Sequence, residues 1–157
     1  HSAGDKVLEQ LSRLLEDVLR DSDYLVRWGG EEFLIVARFC SREEAPEMAE
    51  RIRQAVAHST FDLGNGQQLQ KTCSIGYAAY PFYPQVPNTL SWEQVVDTAD
   101  RALYAAKNAG RDCWVGIASK PGAVLDMNPA VDKNLDHLLA QGVIEIEASV
   151  DKSQIQF

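Results

Sequence analysis

Residues 26–36 read VRWGGEEFLIV. Two glycines and then two glutamates interrupt an otherwise apolar stretch. Gly29 and Gly30 supply a tight turn. Glu31 and Glu32 place two negative charges at the mouth of a strand that continues through Phe33, Leu34, Ile35 and Val36. Charges beside a strand bound for the interior are costly unless they hold something. Other charged residues stand at suggestive spacings. Lys107 and Arg111 lie four apart near an expected helix end and so share a face. Taken alone, they also serve to offset the negative end of the helix dipole. Arg20 and Asp23 lie three apart, just ahead of the glycine turn; taken alone, they are an exposed ion pair of little worth. Asp5 opens the first helix, where acids are common.

The composition narrows the ligand. With 157 residues there is room for one domain with a core. The 45% hydrophobic and 8% aromatic fractions are those of an ordinary globular protein. A net charge of −8 argues against a broad nucleic-acid surface. It leaves room for a phosphorylated small ligand, which needs only two or three cations placed locally. Cys40, Cys73 and Cys113 are odd in number and lack metal-type spacing, so they read as core residues in a reducing compartment. No apolar run reaches membrane-spanning length, and no signal peptide opens the chain.

The elements that must position these groups follow from periodicity. Val7, Leu8, Leu11, Leu14, Leu15, Val18 and Leu19 form one face of a helix over 5–20. Residues 24–28 and 31–39 read as a hairpin whose second strand, apolar on both faces, is expected to be central. Ser41 with Glu44 makes a capping box for a second helix. A polar turn at 63–66 ends this part, and 69–80 reads as one strand. Ser91 with Gln94 caps a third helix, which stops near Gly110. Residues 113–118 are a core strand. The order predicts an α+β fold: a mixed central sheet flanked by helices, related to the ferredoxin-like arrangement. Residues 119–157 change character. A linker at Lys120-Pro121-Gly122 leads to a helix starting at Asn128-Pro129 and an edge strand at 143–148, expected as a small appendix.

Together these strings resemble a known family. GGEEF at 29–33 resembles the signature of GGDEF domains, the diguanylate cyclases. GDKVL at 4–8, AERIR at 49–53, SIGYAAYP at 74–81 and ADRALYAAKNAGRD at 99–112 resemble further family motifs in the right order. The resemblance covers about residues 1–118, with a palm-like fold. It implies condensation of two GTP into cyclic di-GMP with release of two pyrophosphates, by a homodimer in which each subunit holds one nucleotide. Glu31 then matches the acid that binds Mg2+ (or Mn2+), since hard cations take carboxylate oxygens and keep phosphate oxygens as further ligands. Glu32 matches its neighbour, acting at the metal or at the attacking hydroxyl. Gly29 and Gly30 admit the phosphates. Lys107 and Arg111 match the cations on the β- and γ-phosphates, and Asp5 matches a reader of the guanine edge. Arg20, Asp23 and Arg51 match a product-inhibition site, where arginine suits both phosphates and guanine.

The sequence departs from the family at its start. Family members carry an earlier, central strand with a second metal acid, and none is seen before Asp5. A monomer of these 157 residues alone is therefore not expected to fold stably; upstream residues or a strand from a partner chain are expected. Two functional readings follow: a product-inhibited cyclase, or an inactive module of the same family that binds cyclic di-GMP or GTP as a sensor. The resemblance further implies an upstream sensory domain. It also implies a cytoplasmic location, alone or as the cytoplasmic part of a membrane-attached protein.

Overall fold

Ser2 caps the first helix, α1 (Ala3–Val18), its hydroxyl accepting from the Asp5 amide. The structure, a computed structural model, describes residues 2–122 and 135–157. The contacts divide the chain into two units, residues 1–73 and 74–157.

In the first unit, α1 buries Leu15, and α2 (Ala45–Ala57) buries Ala49, Ile52 and Val56. Phe61 of β3 (Thr60–Gly64) completes this core. Gln10 ties α1 to β3: its amide nitrogen donates to the Asp62 carbonyl at 2.7 Å, and the Asp62 amide donates back to Gln10 Oε1 at 2.8 Å. Lys6 Nζ adds a bond to the Leu63 carbonyl at 3.0 Å. β3 forms an antiparallel hairpin with β4 (Gln67–Gln70). The expected turn at 63–66 is thus a hairpin tip, with Asn65 and Gly66 at φ of 54° and 74°, as a two-residue turn of the primed type demands. Ser41 and Glu44 do exchange capping-box bonds, at 2.7 and 3.3 Å. The α-helix nevertheless begins only at Ala45.

The hairpin that carries the acids is β1 (Tyr24–Gly29) with β2 (Glu32–Val36), antiparallel. The expectation that β2 is central is not met among the described residues, where β2 pairs with β1 alone. Tyr24, Val26, Trp28 and Val36 are accordingly exposed, although they are apolar or aromatic. The strand ends at Val36 rather than 39, because Phe39 turns into the left-handed region at φ 55°.

The second unit is built on a three-stranded mixed sheet. β6 (Trp114–Ser119) lies between β5 (Ile75–Ala78), parallel to it, and β7 (Ile144–Ala148), antiparallel. The expected single strand over 69–80 is therefore two, β4 and β5, which belong to different sheets. Helix α3 (Trp92–Asn108) starts at the Ser91–Gln94 capping box. It presses so closely on β5 that a Cβ on Gly76 would collide with the Leu103 nitrogen and the Ala99 carbonyl. That contact explains the glycine inside a strand. The core holds Val95, Ala102, Ala106, Val115 and Ile117, joined by Leu135 of α4 (Leu135–Ala140) and by Ile144. The described part of the expected appendix thus supplies a strand and core side chains to this unit. The helix start expected at Asn128-Pro129 lies outside the described residues. The α+β class is as expected. Among the described residues no helix is long and apolar enough to cross a membrane.

Candidate functional site

The acid turn lies one residue later than the sequence suggests, at Gly30-Glu31 rather than Gly29-Gly30. Gly29 is the last residue of β1 and pairs with Glu32, the first of β2. The two turn residues are therefore Gly30 and Glu31. Gly30 has φ 52°, the left-handed conformation that a two-residue hairpin requires of glycine at its first central position. Glu31 sits at the tip, exposed, while Glu32 is half-buried at the strand mouth.

A residue that the sequence reading missed fixes this turn. Arg27 donates from Nε and Nη2 to the Gly30 carbonyl, at 3.1 and 2.8 Å. This two-pronged bond is one that the planar guanidinium makes and lysine cannot. Gly29 has no strained φ, and a Cβ there would meet nothing within 4 Å; the same holds for the space beside Gly30. The chain's own packing does not demand Gly29. Open space over two successive glycines is what a phosphate group approaching the backbone would use.

Asp5 stands in the first turn of α1, exposed, with its Oδ2 accepting from the Ser2 hydroxyl at 3.0 Å. Arg20 and Asp23 are not the ion pair their spacing suggests. The Asp23 carboxylate instead accepts two backbone amides, Arg20 N–H on Oδ2 and Arg38 N–H on Oδ1, each at 3.0 Å. Asp23 thereby fixes the start of the hairpin against its end and leaves the Arg20 side chain exposed. Arg51 is exposed on α2. Arg20, Asp23 and Arg51 each act electrostatically on Cys40. Burial pushes its thiol up, Glu44 and Asp23 act in the same direction, and Arg20 and Arg51 oppose them.

In the second unit, Lys107 lies in the last turn of α3. Arg111 does not share a helical face with it, contrary to the four-residue spacing. The helix stops at Asn108, Gly110 turns at φ 110°, and Arg111 is itself left-handed at φ 63°. The Arg111 amide reaches back to the Ala106 carbonyl at 3.1 Å. The two cations are thus placed by a helix end and the turn after it.

The turn fits a divalent cation of the magnesium kind. Such ions are held by one or two carboxylates together with the substrate's phosphates rather than by a protein cage. Glu31 offers exposed hard oxygens, and no group of three or more metal-binding side chains forms a cage among the described residues.

Residues 1–113 match the family model described as "Diguanylate cyclase, GGDEF domain". The chain is 38% identical over 112 residues to the diguanylate cyclase DosC of Escherichia coli K12, covering 71% of this chain and 23% of that protein. It is 40% identical over 112 residues to the diguanylate cyclase DgcP of Pseudomonas aeruginosa, covering 71% of this chain and 16% of that one. It therefore spans under a third of the length of these relatives. Among solved structures it is similar to the GGDEF domain of TpbB (YfiN) from Pseudomonas aeruginosa. The TM-score is 0.61 at 31% identity, over 71% of this chain and 62% of that one. It is also similar to the diguanylate cyclase SiaD of the same organism, solved with its activator SiaC. There the TM-score is 0.55 at 32% identity, over 69% of this chain and 39% of that one. The glycine turn, its two glutamates and the elements that carry them thus have a common origin with these proteins, and the chain belongs to the GGDEF domain family.

Proposed function

We propose that this domain condenses two GTP molecules into cyclic di-GMP, with release of two pyrophosphates, as one half of a homodimer. The observation that carries this reading is the acid turn. Its Gly30 is left-handed, Arg27 clamps it, open space lies over both glycines, and Glu31 stands exposed at the tip.

Phosphoryl transfer asks mainly for positioning and charge neutralisation. Gly29 and Gly30 let phosphate oxygens come within reach of the backbone. Glu31 would hold Mg2+ (or Mn2+) together with those oxygens, and the ion, when bound, would supply phosphate charge neutralisation and a lowered barrier to hydroxyl deprotonation. Glu32, half-buried at the strand mouth, orients or accepts the proton of the attacking 3′-hydroxyl, or adds an oxygen at the cation. Lys107 and Arg111 neutralise the β- and γ-phosphates, and the Asp5 carboxylate accepts from the guanine edge. Arg20, Asp23 and Arg51 form a second site that binds the product and restrains turnover. Asp23 there positions the corner, and the two exposed guanidinium groups meet phosphate. The similarity to much longer cyclases supports a sensory input from another part of the protein.

Equilibrium titration of GTP with and without magnesium tests the turn. Magnesium tightens GTP binding to the natural chain and has little effect on Glu31→Gln. An equal magnesium effect in both refutes the role of Glu31.

A further inference from the structure

The corner that follows β2 is not used by the chemistry of the turn. Phe39 is 79% exposed and adopts φ 55°. A large aromatic residue in the left-handed region is an outlier, and such outliers gather at functional sites. Its neighbour Arg38 lies over two rings, 5.6 Å from the centre of Tyr24 and 5.0 Å from that of Phe39. Arg38 Nη1 also donates to the Tyr24 hydroxyl at 3.4 Å. A cation is thus held between two exposed rings rather than left free in solvent.

This stack is joined to Arg20 through Asp23, which accepts both the Arg20 and the Arg38 amide. The next residue, Cys40, is within electrostatic reach of both Arg20 and Arg51. Two arginines, Arg20 and Arg38, and two exposed rings therefore share one corner, with Arg51 acting electrostatically on Cys40 beside it, in a chain whose net charge is −8. A purely apolar partner would strip water from the guanidinium groups without pairing them. A long nucleic acid would ask for a basic stripe that the composition does not supply. A small ligand with both phosphates and planar bases satisfies both halves of the corner.

We infer that Arg38 and Phe39 form a stacking platform for a purine base of cyclic di-GMP, next to the arginines that hold its phosphates. This inference rests on the product-binding site proposed above and adds residues that determine its affinity.

The test is calorimetric titration of cyclic di-GMP into the full chain, alongside thermal unfolding. The variants are Arg51→Ala, Phe39→Gly and Phe39→Trp. The natural chain binds, and Arg51→Ala loses binding. Phe39→Gly weakens it about tenfold, the scale of one lost base–aromatic stack, and Phe39→Trp retains it. Phe39→Gly also melts no lower than the natural chain, because glycine relieves the left-handed backbone. Unchanged affinity in Phe39→Gly with loss in Arg51→Ala overturns the platform and leaves the product site standing. Lower affinity in Phe39→Gly with a lower melting temperature, shared by Phe39→Trp, assigns Phe39 a structural role and also overturns it. No binding by the natural chain removes the product site and the platform together.

Discussion

Glu31 and Arg27 divide the work of a two-residue turn: one presents oxygens, the other holds the carbonyl beneath them. Both are exposed, so their substitution should touch function far more than stability. Arg27→Lys keeps the charge and loses the two-pronged bond. It should lower turnover with the melting temperature nearly unchanged, and a steady-state assay beside thermal unfolding checks this. Lys107→Ala and Arg111→Ala should each weaken GTP more than GMP, by roughly 1.5–3 kcal/mol for a lost charge-assisted bond. Titration with the two nucleotides decides it, since equal losses would place these cations away from the β- and γ-phosphates. GGEEF announced the turn but placed it one residue early, because either Gly29 or Gly30 could have taken the left-handed position. The clamp by Arg27 was not readable, because a strand arginine gives no sign of which carbonyl it reaches. Arg111 misled for a related reason: four-residue spacing implies a shared face only while the helix lasts, and it ends at Asn108.

At the scale of elements, two contacts are sharp enough to test. Gly76→Ala pushes a methyl group into the α3 backbone. It should cost at least the 1–3 kcal/mol, approximately, of ordinary overpacking, measurable as a lower denaturation midpoint. The Ser41–Glu44 exchange predicts a pH effect. The bonds from Ser41, backbone amide first and hydroxyl second, hold the Glu44 carboxyl below its ordinary range. Its folded value thus lies below its unfolded one. The stabilisation is complete above the unfolded value and fades as pH falls through the folded one. Glu44→Gln should therefore flatten the acid limb of the stability curve and leave the neutral region nearly level. Helix α3 was legible from its apolar stripe and the Ser91–Gln94 capping box, whereas α1 was legible from its stripe alone: its cap is Ser2, and it runs Ala3–Val18 rather than 5–20. The β3–β4 hairpin was missed although Asn65-Gly66 announced it, because the apolar residues around that turn are too few to alternate. Phe39 read as strand because an aromatic residue favours strands. Only tertiary context, the Asp23–Arg38 bond and the ring stack, turns the chain there.

For the whole molecule, the family match ends at residue 113, yet β7 pairs with β6, and Leu135 and Ile144 are buried. Burying two such side chains is worth about 3–6 kcal/mol, against a total of roughly 5–15 kcal/mol for a domain. Removal of residues 135–157 should therefore lower the unfolding midpoint strongly, even though the family's motifs remain; an unchanged midpoint would show that β7 only decorates the sheet. Sequence reading separated this segment because its composition shifts at the linker, and pairing with a strand some 30 residues earlier leaves no local trace. The central claim concerns chemistry at the acid turn. It is tested most directly by incubating the chain with GTP and Mg2+ and resolving the products by chromatography and mass spectrometry. Cyclic di-GMP and pyrophosphate should form in a ratio of one to two, and Glu31→Gln should form neither. GTP that is bound but left unconverted, or product formed equally by Glu31→Gln, would contradict a cyclase that works through this turn.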